Sequence, residues 1–249
     1  LLCLRELASK GIVHADIKPE NILTNDESLV YTKVADFGTA CFAEEQIFSY
    51  IQSRYYRAPE VLYGIKYGPP IDMWSLGCVV YELIIGQPLF AAQDEEELAE
   101  MLNIAIGSPP RSIYENSTKW SMLPHVASYS HDYRPSSGSS NNANSALYHM
   151  QPLAFMVSVL PRVISKFIRR CLMWDPDQRL TPEQALQTEW MQQEIDVLIA
   201  KRKKRDGEND KLHEPTSPKT SVRSLAKINK LDIKEPGTSK FGKRPHWHF

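Results

Sequence analysis

The residues best suited to chemistry lie in two short segments near the start of this 249-residue chain. Residues 14–21 read His-Ala-Asp-Ile-Lys-Pro-Glu-Asn, and Asp-Phe-Gly follows at residues 36–38. Together the segments supply two carboxylates, an ammonium group and an amide (Asp16, Asp36, Lys18, Asn21). Phosphoryl transfer requires such a set, because the attacking hydroxyl must be oriented and the charge on the phosphates neutralised. The pattern therefore predicts a phosphoryl-transfer site.

Each of the four side chains suits a different part of that chemistry. Asp16 is predicted to orient and deprotonate the attacking hydroxyl, and Lys18 to place a positive charge beside the transferring group. Asn21 and Asp36 carry the oxygen ligands that Mg²⁺ prefers. Alone, an Asp-Phe-Gly triplet occurs by chance and a His-x-Asp triplet can be a buried turn. Their fixed order, with Ala-Pro-Glu at residues 58–60 beyond them, favours the functional interpretation.

The composition is typical of a globular protein, with 42% hydrophobic and 24% charged residues. No apolar run approaches the 18 residues of a membrane span, so no membrane segment is predicted. The four cysteines are scattered and include no C-x-x-C pair, which favours reduced intracellular thiols over disulfides or a zinc site.

Charge divides the chain into an acidic body and a basic tail. Residues 1–200 hold 15 basic and 24 acidic residues, whereas residues 201–249 hold 14 and 6. Residues 191–249 are predicted to form a basic, largely disordered tail, because beyond about residue 200 apolar content drops and Lys, Pro and Ser dominate. The cluster Lys201–Arg205 has three interpretations: a nuclear import signal, a nucleic-acid patch or a solvated helix end. The acidic body argues against nucleic acid, and the expected location is the nucleus or cytoplasm, with the cluster favouring the nucleus.

Periodicity and caps predict the elements that position these residues. Residues 71–86 are apolar nearly all round, so that helix should be buried. The acids at 95–97 are interpreted as the solvated start of a helix capped by Asp94. The region 111–152 loses periodicity and is interpreted as a Ser/Asn-rich insert. Helices are predicted at 1–10, 71–86, 94–106, 160–172 and from 181, and strands at 22–24 and 29–34.

The motifs taken together resemble those of a eukaryotic protein kinase, over residues 1 to about 190. The run Tyr50–Glu60 and the Ile-Asp-Met-Trp-Ser-Leu-Gly-Cys sequence at 71–78 are similar to the dual-specificity tyrosine-regulated kinases and their homeodomain-interacting relatives. The resemblance implies a mainly α, kinase-like C-terminal lobe with short β-hairpins near the catalytic loop. It also implies ATP and Mg²⁺ as cofactors and Ser/Thr residues of proteins as phosphoacceptors.

The first thirteen residues hold no G-x-G-x-x-G and no strand resembling Val-Ala-Ile-Lys, which kinases use to hold ATP. The expectation is therefore that the N-terminal lobe is absent and that the chain as given is inactive by itself. A kinase-derived, non-catalytic scaffold or a truncated gene product is the alternative interpretation.

The resemblance assigns regulatory and substrate roles within the activation segment, which comprises residues 36–60. Ala15 replaces the Arg that in most kinases receives a phosphorylated loop residue. Tyr50 matches the family's autophosphorylated tyrosine, and Arg54 and Arg57 match the guanidinium groups that bind its phosphate. The family often has a second tyrosine two residues earlier, where this chain has Phe48.

Other residues match positions that the family uses for substrate contact or support. Ser53 matches a hydroxyl near the substrate and the catalytic Asp, and Arg57 also matches the position that favours proline after the phosphoacceptor. The structural matches are His14 and Asp72, which would hold the catalytic loop, and the ion pair of Glu60 with Arg179.

Overall fold

The computed structural model describes residues 1–24, 32–45, 50–119, 150–197 and 199. Helices make up most of the regular structure in these residues, which confirms the mainly α prediction. In chain order they are α1 (Leu2–Ser9), α2 (Pro59–Leu62), α3 (Pro70–Ile85), α4 (Glu95–Ile106), α5 (Arg111–Asn116), α6 (Leu153–Met156), α7 (Arg162–Cys171), α8 (Pro182–Leu186) and α9 (189–197). None of the described helices combines the length and the apolar character that a membrane span requires.

Helix α3 is the centre of the core, as its apolar sequence predicts. Its Trp74 is fully buried and stacks on Phe90 with ring centroids 6.1 Å apart. Helix α7 packs against it, and the contact is close because Gly77 has no side chain. A Cβ added there would lie 2.7 Å from the Cβ of Cys171. Gly86 ends the helix with φ 83°, a left-handed conformation that glycine adopts without strain.

Two predicted helix starts are confirmed by their caps. The Asp94 side chain accepts a hydrogen bond from the Glu97 N–H at 2.8 Å, which satisfies one free donor of the first turn of α4. At α8, the Thr181 hydroxyl accepts from the Gln184 N–H while the Gln184 side chain accepts from the Thr181 N–H. This reciprocal pair is a capping box.

Two short antiparallel pairs enclose the segments predicted to do chemistry. Strand β1 (Ile12–Val13) pairs with β4 (Cys41–Phe42), so Val13 lies opposite Cys41. Strand β2 (Ile22–Thr24) pairs with β3 (Thr32–Val34), so Ile22 lies opposite Val34. The first pair holds the chain just before His14, and the second joins the residues after Asn21 to those before Asp36. The predicted strand 29–34 is described only from residue 32.

The structure departs from the sequence expectations at two places. Helix α5 lies in the region without periodicity, and Ile113 and Met150 at the ends of that region are buried. Pro110, the second of the two prolines that follow α4, is the N-cap of this helix. Helix α9 continues to residue 197, beyond the predicted start of the tail at 191.

Several sequence predictions lie outside the described residues. These are the central part of the insert (120–149), Phe48 and residues 201–249 with the Lys201–Arg205 cluster. The absence of an N-terminal lobe is not confirmed and stays a prediction.

Candidate active site

The predicted catalytic loop, residues 14–21, is held by Asp72 of α3. The backbone N–H groups of His14 and Ala15 donate to its two carboxylate oxygens at 2.8 and 3.0 Å. Burial raises the pKa of Asp72 to about 7, against the opposite effect of these two donors. A single buried side chain therefore fixes the two residues that precede Asp16.

The His14 ring links the catalytic loop to the Asp-Phe-Gly segment. Its Nδ1 accepts from the Asp16 N–H at 3.2 Å, and its Nε2 lies 3.1 Å from the Ala35 carbonyl oxygen. These partners require a neutral ring with its proton on Nε2, and burial lowers the pKa of His14. The ring also meets Phe37 edge to face at 4.7 Å. One imidazole thus positions the backbone beside both predicted catalytic carboxylates.

The Asp16 carboxylate is the centre of the site. Its Oδ2 lies 2.7 Å from Lys18 Nζ and accepts from Asn21 Nδ2 at 3.0 Å. Its Oδ1 accepts from the Ser53 hydroxyl at 2.8 Å and from the Ser53 N–H at 3.3 Å. Burial works to raise the pKa of Asp16, but the hydrogen bonds from Lys18, Ser53 and Asn21 outweigh it and hold the pKa below its ordinary value. Asp16 is therefore ionised at neutral pH.

Lys18 and Ser53 complete this cluster. Lys18 Nζ donates to Ser53 Oγ at 3.2 Å, so the ammonium group contacts both the carboxylate and the hydroxyl. The structure therefore brings together Asp16, Lys18, Asn21 and Ser53, as their predicted roles require.

Asn21 and Asp36 present oxygens suited to a hard cation. Asn21 Nδ2 donates twice to Asp16, and in the described part of the chain its Oδ1 has no hydrogen-bond partner. The Asn21 carbonyl accepts from the Ala35 N–H at 2.9 Å, which places Asp36 one residue away. Asp36 Oδ1 accepts from the Gly38 N–H, while Oδ2 has no partner among the described residues. Two protein oxygens and phosphate oxygens form a typical Mg²⁺ site, so this donor set fits magnesium-bound ATP.

The activation segment is held by Arg57, which is almost fully buried. Its guanidinium donates to the carbonyls of Ile51 and Gln52 at 3.1 and 2.8 Å and pairs with Glu95 at 2.7 Å. It also lies 4.2 Å from the centre of the Tyr50 ring, a cation–π contact.

Tyr50 itself is 64% exposed. Hydrogen bonding from Arg57, and to a smaller extent from Arg54, lowers the pKa of its phenol. Arg54 also donates to the Gln93 carbonyl. The structure therefore places Tyr50 beside both arginines predicted to bind its phosphate.

Within the described ranges, three non-glycine residues have positive φ, and all three border the site: Ala15 (63°), Asp36 (61°) and Gln52 (63°). Such conformations cost roughly 1–3 kcal/mol each and persist only where the surroundings impose them. The Gln52 N–H donates to the Ala15 carbonyl at 3.0 Å, so two of the three contact each other directly.

Comparisons with known proteins agree with this geometry. The Protein kinase domain family matches residues 1–191. The chain belongs to the protein kinase family. It is 41% identical over 193 residues to the probable serine/threonine-protein kinase dyrk2 of Dictyostelium discoideum, covering 77% of this chain and 20% of that protein. It is 35% identical over 193 residues to human dual specificity tyrosine-phosphorylation-regulated kinase 4, covering 78% of this chain and 36% of that protein.

The solved structures give the same fold. A crystal structure of a kinase domain matches with a TM-score of 0.63 at 27% identity, covering 76% of this chain and 62% of that one. The fold is therefore the protein kinase fold. The chain spans about a fifth to a third of the length of the curated relatives compared above.

The predicted support pair of this protein kinase domain is also in place. Arg179 donates to both Glu60 oxygens at 2.8 and 2.9 Å, and both side chains are almost fully buried. Arg179 also donates to the Pro70 and Met173 carbonyls. The pair ties the end of the activation segment to the start of α3 and to the loop after α7.

Sequence reasoning missed two residues of the site. Gln52 is buried and bonds to three separate segments, and Glu95 pairs with both Arg57 and Lys119, at 2.7 and 3.6 Å. The interpretation of Glu95 as a solvated acid was therefore wrong. Periodicity carries no signal for either residue, because their partners are distant in sequence or lie in irregular segments.

Proposed function

We propose that this chain supplies the catalytic lobe for ATP-dependent phosphoryl transfer to Ser/Thr hydroxyls of proteins, with autophosphorylation of Tyr50. The observation that carries the proposal is the Asp16 carboxylate, which contacts Lys18, Asn21 and Ser53 within 3.0 Å or less. An ionised carboxylate beside an ammonium group, together with two oxygens that have no partner among the described residues, suits this chemistry better than a structural role.

When bound, magnesium and ATP would supply the cation that offsets phosphate charge and the γ-phosphoryl group, which passes to the substrate hydroxyl while ADP leaves. Asp16 Oδ1 accepts the proton of the attacking substrate hydroxyl. That hydroxyl binds beside the Ser53 hydroxyl or takes its place at Oδ1. Lys18, 2.7 Å from the same carboxylate, adds positive charge where the phosphoryl group passes. Asn21 Oδ1 and Asp36 Oδ2 would hold the cation, while His14 and Asp72 keep the loop backbone fixed.

A preference for proline after the phosphoacceptor is also proposed. Arg57 Nη2 already donates to the Gln52 carbonyl at 2.8 Å, one residue before the Ser53 that contacts Asp16. A substrate N–H placed near this carbonyl would lose its hydrogen bonds to water without gaining the carbonyl as an acceptor, because Arg57 already donates to it. Proline has no N–H and avoids that cost.

The test is an activity assay on the protein produced from the complete reading frame that encodes this chain. Asp16→Asn keeps the size of the side chain but removes the base, so kcat should fall by about 10²-fold or more. Asp177→Asn, at an exposed position far along the sequence, is the matched control and should retain activity.

Two results would contradict the proposal. One is full activity of the Asp16→Asn protein. The other is absence of transfer by the wild-type protein when ATP and magnesium are present, which would favour the non-catalytic scaffold.

A further inference from the structure

We propose that the side chain of Gln52 is a positioning residue that locks the activation segment and thereby sets the preference for proline. The inference rests on the proposed kinase function, because it concerns substrate choice at that same site. It concerns the amide group of Gln52, whereas the Arg57 contact described above concerns its backbone carbonyl.

The backbone of Gln52 is held in an unfavourable conformation. Its φ is 63°, in the left-handed region that L-residues with a side chain rarely adopt. Its N–H donates to the Ala15 carbonyl at 3.0 Å, and its carbonyl accepts from Arg57 at 2.8 Å. Both polar backbone groups are thus used inside the protein. Without another constraint, this residue would relax toward negative φ and turn its carbonyl elsewhere.

The side chain supplies that constraint. It is only 5% exposed, and its Nε2 donates to the Ile71 carbonyl at 3.1 Å and to the Ser75 hydroxyl at 2.8 Å. Its Oε1 accepts from the Ala58 N–H at 2.9 Å. Both amide hydrogens and the amide oxygen are therefore paired, and the three bonds reach α3 and the start of α2.

Ser75 extends the lock to a second point of the activation segment. Its hydroxyl donates to the Tyr56 carbonyl at 2.7 Å while it accepts from Gln52. One helix residue thus joins two positions of the segment. An apolar side chain of similar size at position 52 could fill the space but would leave the Ala58 N–H and the Ile71 carbonyl without these partners.

The lock matters for substrates because Gln52 is the neighbour of the residue that contacts the proposed base. Gln52 immediately precedes Ser53, whose hydroxyl lies 2.8 Å from Asp16 Oδ1. In an extended substrate, the residue after the phosphoacceptor follows at a Cα spacing of about 3.8 Å, so it passes close to residue 52. With the carbonyl occupied by Arg57, that residue gains nothing from an N–H. If the lock is released, the carbonyl can accept an N–H, and residues other than proline are favoured.

The decisive comparison uses the Gln52→Leu and Gln52→Gly variants, with Gln178→Leu at an exposed position as the control. Leucine fills the space without the hydrogen bonds, and glycine accepts φ 63° without strain but also lacks the bonds. Each protein, from the complete reading frame, is assayed on two peptides that differ only in Pro or Ala after the phosphoacceptor. The ratio of kcat/KM for Pro over Ala should fall about tenfold in Gln52→Leu, the size expected for one hydrogen bond. It should fall less in Gln52→Gly, where no strained φ drives the backbone to relax, and should stay constant in Gln178→Leu.

A general loss of structure would lower kcat/KM for both peptides equally and leave the ratio unchanged, and that result would overturn the inference. If Gln52→Leu does not fold, Ser75→Ala removes one partner of the amide and should shift the ratio in the same direction by a smaller factor.

A second measurement does not depend on catalysis. In the 249-residue chain, amide hydrogen exchange at Ala58 should be about tenfold faster in Gln52→Leu than in wild type and unchanged in Gln178→Leu. Unchanged exchange at Ala58 would show that the amide locks nothing. If the wild-type protein phosphorylates neither peptide, the proposed function and the substrate preference fail together, and the exchange result alone decides whether the lock exists.

Discussion

Ser53 Oγ donates a 2.8 Å hydrogen bond to Asp16 Oδ1, so the activation segment contacts the catalytic carboxylate directly. The two residues are 37 positions apart in the sequence. Lys18 contacts both, at 3.2 Å from the hydroxyl and 2.7 Å from the carboxylate. The orientation of the proposed base therefore depends on the conformation of a segment that carries the proposed phosphorylation site.

Replacement of Ser53 should show this dependence. Ser53→Ala removes a hydrogen bond to a charged group, worth about 1.5–3 kcal/mol, so kcat should fall about 10- to 100-fold. Ser53→Thr keeps the hydroxyl and should retain most activity. Steady-state kinetics with both variants, alongside their thermal midpoints, is the measurement. Equal activity of the Ala and Thr variants would mean that the hydroxyl does not position the base.

Tyr50 should carry phosphate in the active protein. Its phenol lies beside two guanidinium groups that already lower its pKa, and a phosphate of about −1.5 to −2 charge would bind them more strongly. Mass spectrometry of the active protein should detect phosphate on Tyr50, and Tyr50→Phe should lower kcat. The exposed Tyr55 serves as the control, since Tyr55→Phe should leave activity unchanged. Fully active protein without phosphate on Tyr50 would refute the prediction.

The buried Asp72 should make stability depend on pH. Burial raises its folded-state pKa to about 7, whereas the unfolded value is about 3.9. Between these values the folded state binds a proton that the unfolded state lacks, so the free energy of unfolding should fall as pH rises from about 4 to 7. Asp72→Asn removes this titration.

The measurement is the difference in free energy of unfolding between wild type and Asp72→Asn, from urea titrations at several pH values. The stability of wild type relative to Asp72→Asn should fall as pH rises to about 7 and should then stay constant. His14 acts in the opposite direction, because its lowered pKa removes stability as pH falls, but both proteins contain it and its effect largely cancels. A difference that shifts in favour of wild type as pH rises would mean that the His14 and Ala15 N–H donors outweigh burial.

The ion pair of Glu60 and Arg179 should matter for stability more than for chemistry. Both side chains are almost fully buried, so Arg179→Ala leaves a buried carboxylate without its partner and should cost about 3–5 kcal/mol. The partly exposed Arg5 and the exposed Glu183 form a pair at 3.7 Å, and Arg5→Ala should cost at most about 1 kcal/mol. Urea unfolding of the two variants compares them directly. Similar losses in both would contradict the assigned burial of the Glu60 pair.

Sequence reasoning anticipated the parts of this protein that local patterns encode. The buried α3, the Asp94 cap and the Thr181 capping box follow from apolar spacing and from side chains that bond to their own helix. The placement of Asp16, Lys18 and Asn21 in one short segment is also visible in the sequence, although their contacts depend on how that segment folds. Contacts between distant segments were obtained only through family resemblance, as for Glu60 with Arg179, or missed, as for Gln52.

The missed contacts share a physical cause. Gln52 bonds to α3 and to the catalytic loop through groups whose positions depend on the tertiary fold. Glu95 lies in an acidic first turn, which by itself predicts only a favourable dipole interaction. Its role with Arg57 appears only when α4 is placed beside the activation segment. Buried polar contacts of this kind carry no periodic signature in the sequence.

The close packing of α3 on α7 yields a last prediction. Gly77→Ala would place a Cβ 2.7 Å from Cys171 Cβ, closer than real contacts allow, and at a tight 3.2 Å from a Leu172 methyl carbon. Since neither Cys171 Cβ nor the helix backbone can move independently, the helices must separate, and overpacking of this kind costs about 1–3 kcal/mol. Gly68→Ala is the matched control, because its nearest neighbour would be at an ordinary 3.7 Å. Thermal or urea unfolding should show a clear loss for Gly77→Ala and little change for Gly68→Ala. If Gly77→Ala is neutral, the two helices are not held at the distance that the structure gives.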